Sequence, residues 1–175
     1  MSEAFRGEFN QKVDGKARVS IPAPFRRVLE AGDPSFGDGN RPKFVMVYGG
    51  GPGRQYVECY TIAEMKRLEA RIRRVAAGSP QRRALERNFI TLSQIVEVDE
   101  DGRIVLPPKV REKIDLSADV LKDGAEATFA GALETFQIWQ RDAYEAEIAT
   151  QLEADLEILP LGADLLSLLP HDPEE

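Results

Sequence analysis

The sequence is poor in the residues on which much protein chemistry depends. It holds one cysteine, Cys59, one histidine, His171, and one tryptophan, Trp139, among 175 residues. Disulfide frameworks need paired cysteines, zinc sites draw on Cys and His, and a Cys–His dyad needs both in one cleft, so none of these readings survives. Cys59 lies in an apolar run and reads as a packed side chain, not a nucleophile. His171, beside Asp172, reads as solvated. No apolar run approaches the roughly 18 residues of a membrane helix, and the opening Met-Ser-Glu-Ala-Phe-Arg-Gly lacks the apolar stretch of a secretory signal. The expectation is a soluble cytoplasmic protein, with no metal, no cofactor and no small-molecule substrate. Carboxylates are abundant, but no motif sets two of them on one concave wall, so a hydrolase is a poor reading.

Cations are missing from one region. Residues 142–175 contain ten carboxylates and no Lys or Arg, whereas the whole chain stands at −7, which leaves residues 1–141 at +3. Within that body, Lys66, Arg67, Arg71, Arg73, Arg74, Arg82, Arg83 and Arg87 face only Glu69 and Glu86 between residues 65 and 87, a local excess of +6. Net charge therefore gives no argument against a polyanionic partner. With 42% apolar and 30% charged residues the chain can build a real core.

What the sequence has in plenty is self-similarity. Residues 12–29 and 97–114 align without a gap at an offset of 85, keeping Val13/Val98, Asp14/Asp99, Arg18/Arg103, Pro22/Pro107 and Arg26/Arg111 identical. Val19/Ile104, Ile21/Leu106, Phe25/Val110 and Leu29/Ile114 stay apolar. Each copy alternates apolar and polar residues, passes through a turn rich in Asp and Gly, resumes as a β-branched strand and stops at proline. Pro22-Ala-Pro24 and Pro107-Pro108 suit a first helical turn, followed by the apolar spacing of a short helix. Both copies then return to strands, at Lys43–Tyr48 and Gln55–Tyr60, and at Ala127–Phe129 and Thr135–Trp139, with Trp139 aligned to Tyr60 as a core or interface residue. Thr61 with Glu64 and Asp142 with Glu145 have capping-box spacing, and Ser79-Pro80 opens a further helix through Leu85 to Phe89. The expected fold is α+β, two ββαββα units in tandem with flanking helices.

A doubled Asp-x-x-x-Arg tip closed by apolar-Pro-x-x-apolar-Arg resembles the MraZ family of bacterial transcriptional regulators, and more distantly the AbrB and MazE swapped-hairpin DNA-binding domains. The resemblance covers roughly residues 5–145 and rests on Phe5-Arg-Gly7, Asp14-Gly-Lys-Ala-Arg18-Val-Ser-Ile-Pro22 and Asp99-Glu-Asp-Gly-Arg103-Ile-Val-Leu-Pro107. It implies a small swapped-hairpin β-barrel made of a first half (5–64), basic connecting helices (65–92), a second half (93–145) and an acidic Leu-rich tail (146–175). It further implies a ring-shaped homo-oligomer that binds direct repeats of double-stranded DNA, is nucleoid-associated, and represses the division and cell-wall gene cluster. Carried over, the DNA-contacting element is Asp14 with Arg18 and Asp99 with Arg103.

The chemistry of these residues is compatible with that role. A turn carboxylate can brace an Arg, and a fixed guanidinium fork can meet a guanine edge or a phosphate bidentately. The first tip, with Asp14, Lys16 and Arg18, carries +1, and the second, with Asp99, Glu100, Asp101 and Arg103, carries −2, so Arg18 with Lys16 is expected to be the main reader and Arg103 chiefly structural. Where the family has Gly before the Arg, as at Gly102, this chain has Ala17, which leads to the expectation that Gly15 takes up any positive φ. Arg26 and Arg27 fit either phosphate steering or the solvated face of a short helix. The run from Lys66 to Arg87 fits a DNA backbone track, a solvated face or an inter-subunit surface, and the acidic tail either its complement or a solubilising end. Gly49-Gly-Gly-Pro-Gly53 lacks the Lys-Ser or Lys-Thr of a phosphate loop and reads as a flexible connection. The alternative function is an antitoxin-like or structural interaction module of the same fold.

Overall fold

A computed structural model describes residues 3–173. The chain forms β1 (Glu8–Val13), β2 (Arg18–Ser20), α1 (Ala23–Ala31), β3 (Lys43–Val47), β4 (Tyr56–Thr61), α2 (Ile62–Arg73) and α3 (Pro80–Leu85). It continues with a π-helical turn (Glu86–Thr91), β5 (Ser93–Glu97), β6 (Arg103–Val105), α4 (Pro108–Lys113), α5 (Ala118–Lys122), β7 (Ala125–Ala132), β8 (Thr135–Gln140), α6 (Arg141–Glu157) and a 3₁₀ turn (Leu165–Leu168). The expected doubled ββαββα order is present. One compact unit runs to Arg141 and a second begins at Asp142.

The eight strands lie in one antiparallel sheet in the order β5-β3-β4-β8-β7-β1-β2-β6. Its end strands, β5 and β6, are joined through the turn at Asp99, where the Asp99 N–H donates to Arg103 O at 2.8 Å, so the sheet is nearly closed into a barrel. Strands of the two halves interleave: β1 pairs with β7 as β5 pairs with β3, and β2–β6 and β4–β8 join the halves directly. The registers obey a pseudo-twofold axis. Val19 faces its own repeat partner Ile104 across β2–β6, and Glu58 faces Gln137 across β4–β8, so both ladders map onto themselves. A hairpin whose strands find most of their partners in the other half is what swapping means here, since β1 and β2 share only the pair Val13↔Val19.

Alternation puts one face of each strand inside. Val13, Val19, Ile21, Phe44, Met46, Val57, Cys59, Val96, Ile104, Leu106, Phe129, Phe136 and Ile138 form a single core. α1 begins directly after Pro22, with Pro24 in its first turn, and inserts Phe25 against Phe5, Phe9 and Phe136, with ring centroids 5.4, 5.4 and 5.0 Å away. Full burial of one such ring is worth about 2–3 kcal/mol, so α1 and the tip it follows are anchored to the barrel interior. α2 is capped at Thr61, whose hydroxyl accepts from Glu64 N–H at 3.0 Å, and covers the outer face of β3 and β4 through Met65.

Three local expectations are corrected. Asp142 does not cap α6, because β8 runs to Gln140 and the helix starts at once with Arg141, leaving Asp142 in its first turn. The helix opened by Ser79 does not continue as one α-helix, but widens after Leu85 into the π-helical turn. Gly15 does not have a positive φ; Ala17 does, at 63°, matching Gly102 at 75°. Each tip is a three-residue loop in which Ala17 N–H donates to Asp14 O (2.9 Å) and Gly102 N–H to Asp99 O (3.0 Å). A type I turn of this kind ends in a left-handed residue immediately before the second strand, so the strain falls on Ala17 and not two residues earlier.

Candidate nucleic-acid interface

At the first tip one carboxylate does three things. Asp14 Oδ1 accepts from Lys16 N–H and Arg18 N–H, both at 2.9 Å, and Oδ2 accepts from Arg18 Nε–H at 2.7 Å. The N–H of Arg18 is the strongest influence holding the Asp14 carboxyl below its ordinary value, ahead of the guanidinium and Lys16 N–H. Arg18 is thus oriented through Nε, while its two Nη nitrogens have no partner among the described residues. Lys16 is exposed at the apex.

The second tip repeats the turn but not the grip. Asp99 Oδ1 accepts from Asp101 N–H (2.8 Å) and Arg103 N–H (2.9 Å), and the latter again leads in lowering the Asp99 carboxyl. Arg103 Nε stands 3.6 Å from Asp99 Oδ2, too long for a hydrogen bond, and its Nη2 donates to Asp101 Oδ2 at 3.2 Å instead. Arg103 is therefore shared between two carboxylates.

Long-range partners change the charge of this second tip. Arg41 Nη2 donates to Glu100 Oε1 at 2.6 Å, and Arg41 Nε lies 3.9 Å from Glu97 Oε1. The segment carrying Arg41 is held by Asp33, which accepts from Ser35 N–H, Ser35 Oγ–H and Lys43 N–H. Burial pushes the Asp33 carboxyl up, but these donors outweigh it and leave it lowered. Arg26, on α1 of the first half, lies across Gly102, with Cζ 2.8 Å from where a Cβ on that glycine would stand. The −2 read from the local sequence is thus met by two cations from elsewhere.

Both tips feed one surface. In β2 and β6 the middle residues, Val19 and Ile104, point inward, so Arg18, Ser20, Arg103 and Val105 all face out. Arg18 lies opposite Val105 and Ser20 opposite Arg103, so the two arginines are diagonal neighbours, about 7–8 Å apart at Cα. Val105 is 58% exposed between them. The same two-residue alternation was the signal in the sequence that could have singled out Ser20 and Val105 beside the arginines. Arg27 is exposed on α1, and Arg26 is turned to the second tip.

The remaining cationic run lies elsewhere. α2 contacts β3 and β4, which in the strand order stand away from β2–β6. Arg67, Arg73 and Arg82 pair with Glu64, Glu69 and Glu86. The glycine loop after β3 is a docked connection: the Gly50 N–H donates to Asn88 Oδ1 at 3.1 Å, and Gly51 O accepts from Lys113 Nζ at 2.8 Å. Cys59 is buried, its thiol pushed up by burial and then by Glu58. No helix among the described residues is long and apolar enough to cross a membrane, and no group of His, Cys, Asp and Glu there could hold a metal ion.

Residues 89–158 match the family described as "MraZ protein, putative antitoxin-like". The chain is similar to a protein of Cereibacter sphaeroides named "Transcriptional regulator MraZ", 66% identical over 169 residues that cover 97% of each chain. Proteins of the same name from Ruegeria sp., 46% identical over 97% of this chain and 96% of theirs, and from Syntrophobacter fumaroxidans, 30% identical over 91% and 94%, are similar along nearly their whole length.

Proposed function

This chain belongs to the MraZ family of transcriptional regulators, and on that premise we propose that it is a repressor that reads direct repeats of double-stranded DNA through the β2–β6 ribbon. One observation carries the reading: two aspartate-braced arginines stand diagonally on the outer face of a two-stranded ribbon that the barrel holds rigid. A ribbon of that width fits the major groove, where an Arg fork meets guanine O6 and N7 and an apolar side chain meets a thymine methyl. Arg18 is the principal reader, because its Nη ends have no partner among the described residues and Lys16 adds charge at the apex. Arg103, engaged by Asp99 and Asp101, is secondary. Arg27 is suited to a phosphate, and Asp14 and Asp99 act through the arginines they hold. One ribbon supplies few base contacts, so a homo-oligomeric ring engaging several repeats at once provides the rest through effective concentration. The promoter is that of the division and cell-wall gene cluster, and the protein works at the nucleoid.

Fluorescence anisotropy with a duplex from the chain's own upstream region, titrated against unrelated DNA at several salt concentrations, tests this. Specific binding with a steep negative salt slope is expected, since each neutralised phosphate releases counterions. Equal competition by unrelated DNA would remove the claim of sequence reading. A second reading, an interaction module of the same fold, draws on the acidic Leu-rich unit, in which Leu152, Leu156, Ile158, Leu161 and Leu166 are all more than half exposed. Its signature is a stable protein complex with no DNA retardation.

A further inference from the structure

We propose that Arg26 is a positioning residue for the second tip: the guanidinium of one half clamps the reading loop of the other and offsets its carboxylates. The inference rests on the DNA-reading assignment above for its functional arm only. Its basis is a chain of contacts. Ile21 N–H donates to Gly102 O at 2.9 Å, which fixes the start of α1 against the second tip. One turn into that helix Arg26 reaches back over Gly102, whose missing Cβ is the space the guanidinium fills. Arg26 Nε is buried there without a hydrogen-bond partner, and no carboxylate pairs with the side chain among the described residues, so packing and not an ion pair places it. A cation is thereby stationed against Gly102, the last residue of the loop that carries Asp99, Glu100 and Asp101, where Arg41 is already bound to Glu100. The first tip is built differently. Leu106 N–H donates to Ala17 O at 2.9 Å in the equivalent bond, but the buried Ala17 methyl stands in the space that Gly102 leaves open. Arg111, the repeat equivalent of Arg26, also has a buried Nε without a hydrogen-bond partner, so it is the open space at Gly102, and not burial of the arginine alone, that marks the contact with the second tip.

The test compares Arg26→Ala and Arg26→Lys with Glu30→Ala, on the same helix, as the control. Hydrogen exchange read by mass spectrometry, without DNA, is expected to quicken several-fold in the peptide spanning residues 99–106 in Arg26→Ala, with residues 14–20 unchanged. Operator affinity is expected to fall as far in Arg26→Ala as in Arg103→Ala. The double variant should lose no more than the worse single one, while the losses of Arg26→Ala and Arg18→Ala should multiply. Lys keeps the charge but not the planar fork, so Arg26→Lys should restore only part of the exchange protection, with the salt slope unchanged in both variants. Unchanged exchange at 99–106 would overturn the clamp whatever the DNA result. Multiplicative losses for Arg26 with Arg103, or a salt slope reduced by about one in Arg26→Ala, would make Arg26 a direct phosphate contact instead. Wild-type protein that failed to bind the operator would refute the DNA assignment and leave the exchange result standing.

Discussion

The same exchange made at two equivalent turn positions should give unequal results. Ala17 and Gly102 occupy the same left-handed site, at φ 63° and 75°, one with a methyl and one without. Replacing Ala17 by Gly relieves the left-handed strain of an L-residue, about 1–2 kcal/mol. It gives back about 0.5–1 kcal/mol in unfolded-chain entropy and about 0.8 kcal/mol for a methyl that is fully buried. The sum lies within about 0.5 kcal/mol of zero. Replacing Gly102 by Ala incurs that strain, recovers the entropy, and then drives a Cβ to 2.8 Å from Arg26 Cζ and 3.0 Å from Cδ. The guanidinium, the far end of a flexible side chain, must leave the backbone, at the low end of the overpacking range or about 1 kcal/mol, so a net loss of about 2 kcal/mol is expected. Urea unfolding at one fixed protein concentration reads the difference as a midpoint lower by about 1 M for Gly102→Ala and hardly moved for Ala17→Gly. Were Gly102→Ala to unfold within about 0.5 kcal/mol of wild type, the close packing of Arg26 on the second tip would be refuted.

Arg18→Ala should weaken operator binding at least about fivefold, from about 1–3 kcal/mol per bidentate base contact, and Arg103→Ala distinctly less; equal losses in a titration would contradict the asymmetry of the two grips. Exchanging thymine for uracil through the operator should reveal a position where the lost methyl weakens wild-type protein but not Val105→Ala; a scan with no such position would exclude Val105 from the reading face. Asp14 and Asp99 both have lowered carboxyls, so their brace is complete above the ordinary carboxylate range and lost only as pH falls through the lower folded values. Affinity measured from pH 8 to pH 5 should therefore show no inflection from the tips, and a midpoint near pH 6 would contradict their assignment as ionised braces.

The doubled frame was legible because it is local. Asp14 and Asp99 enter turns, Pro22 and Pro107 stop strands, and the apolar alternation around them repeats at one spacing. Family resemblance, not periodicity, led to a swapped barrel, since nothing in β1 says that its main neighbour is β7, more than a hundred residues on. The tips were legible as residue types, but their electrostatics were not. Arg41 reaches Glu100 from a loop held by Asp33, and Arg26 reaches Gly102 from the other half, both invisible to a sum over neighbours in sequence. The misplaced positive φ has a similar origin: composition favoured Gly15, whereas the hydrogen-bond pattern of a three-residue loop selects its last residue. At Asp142 a good capping residue was overridden because strand β8 hands directly to α6.

The most direct measurement is a structure of the chain on a duplex containing its repeats. It should place the β2–β6 ribbon in the major groove, with Arg18 Nη atoms about 3 Å from a base edge and Asp14 still bound to Arg18 Nε. A complex in which Arg18 and Arg103 face protein or solvent while another surface touches the DNA would contradict the account.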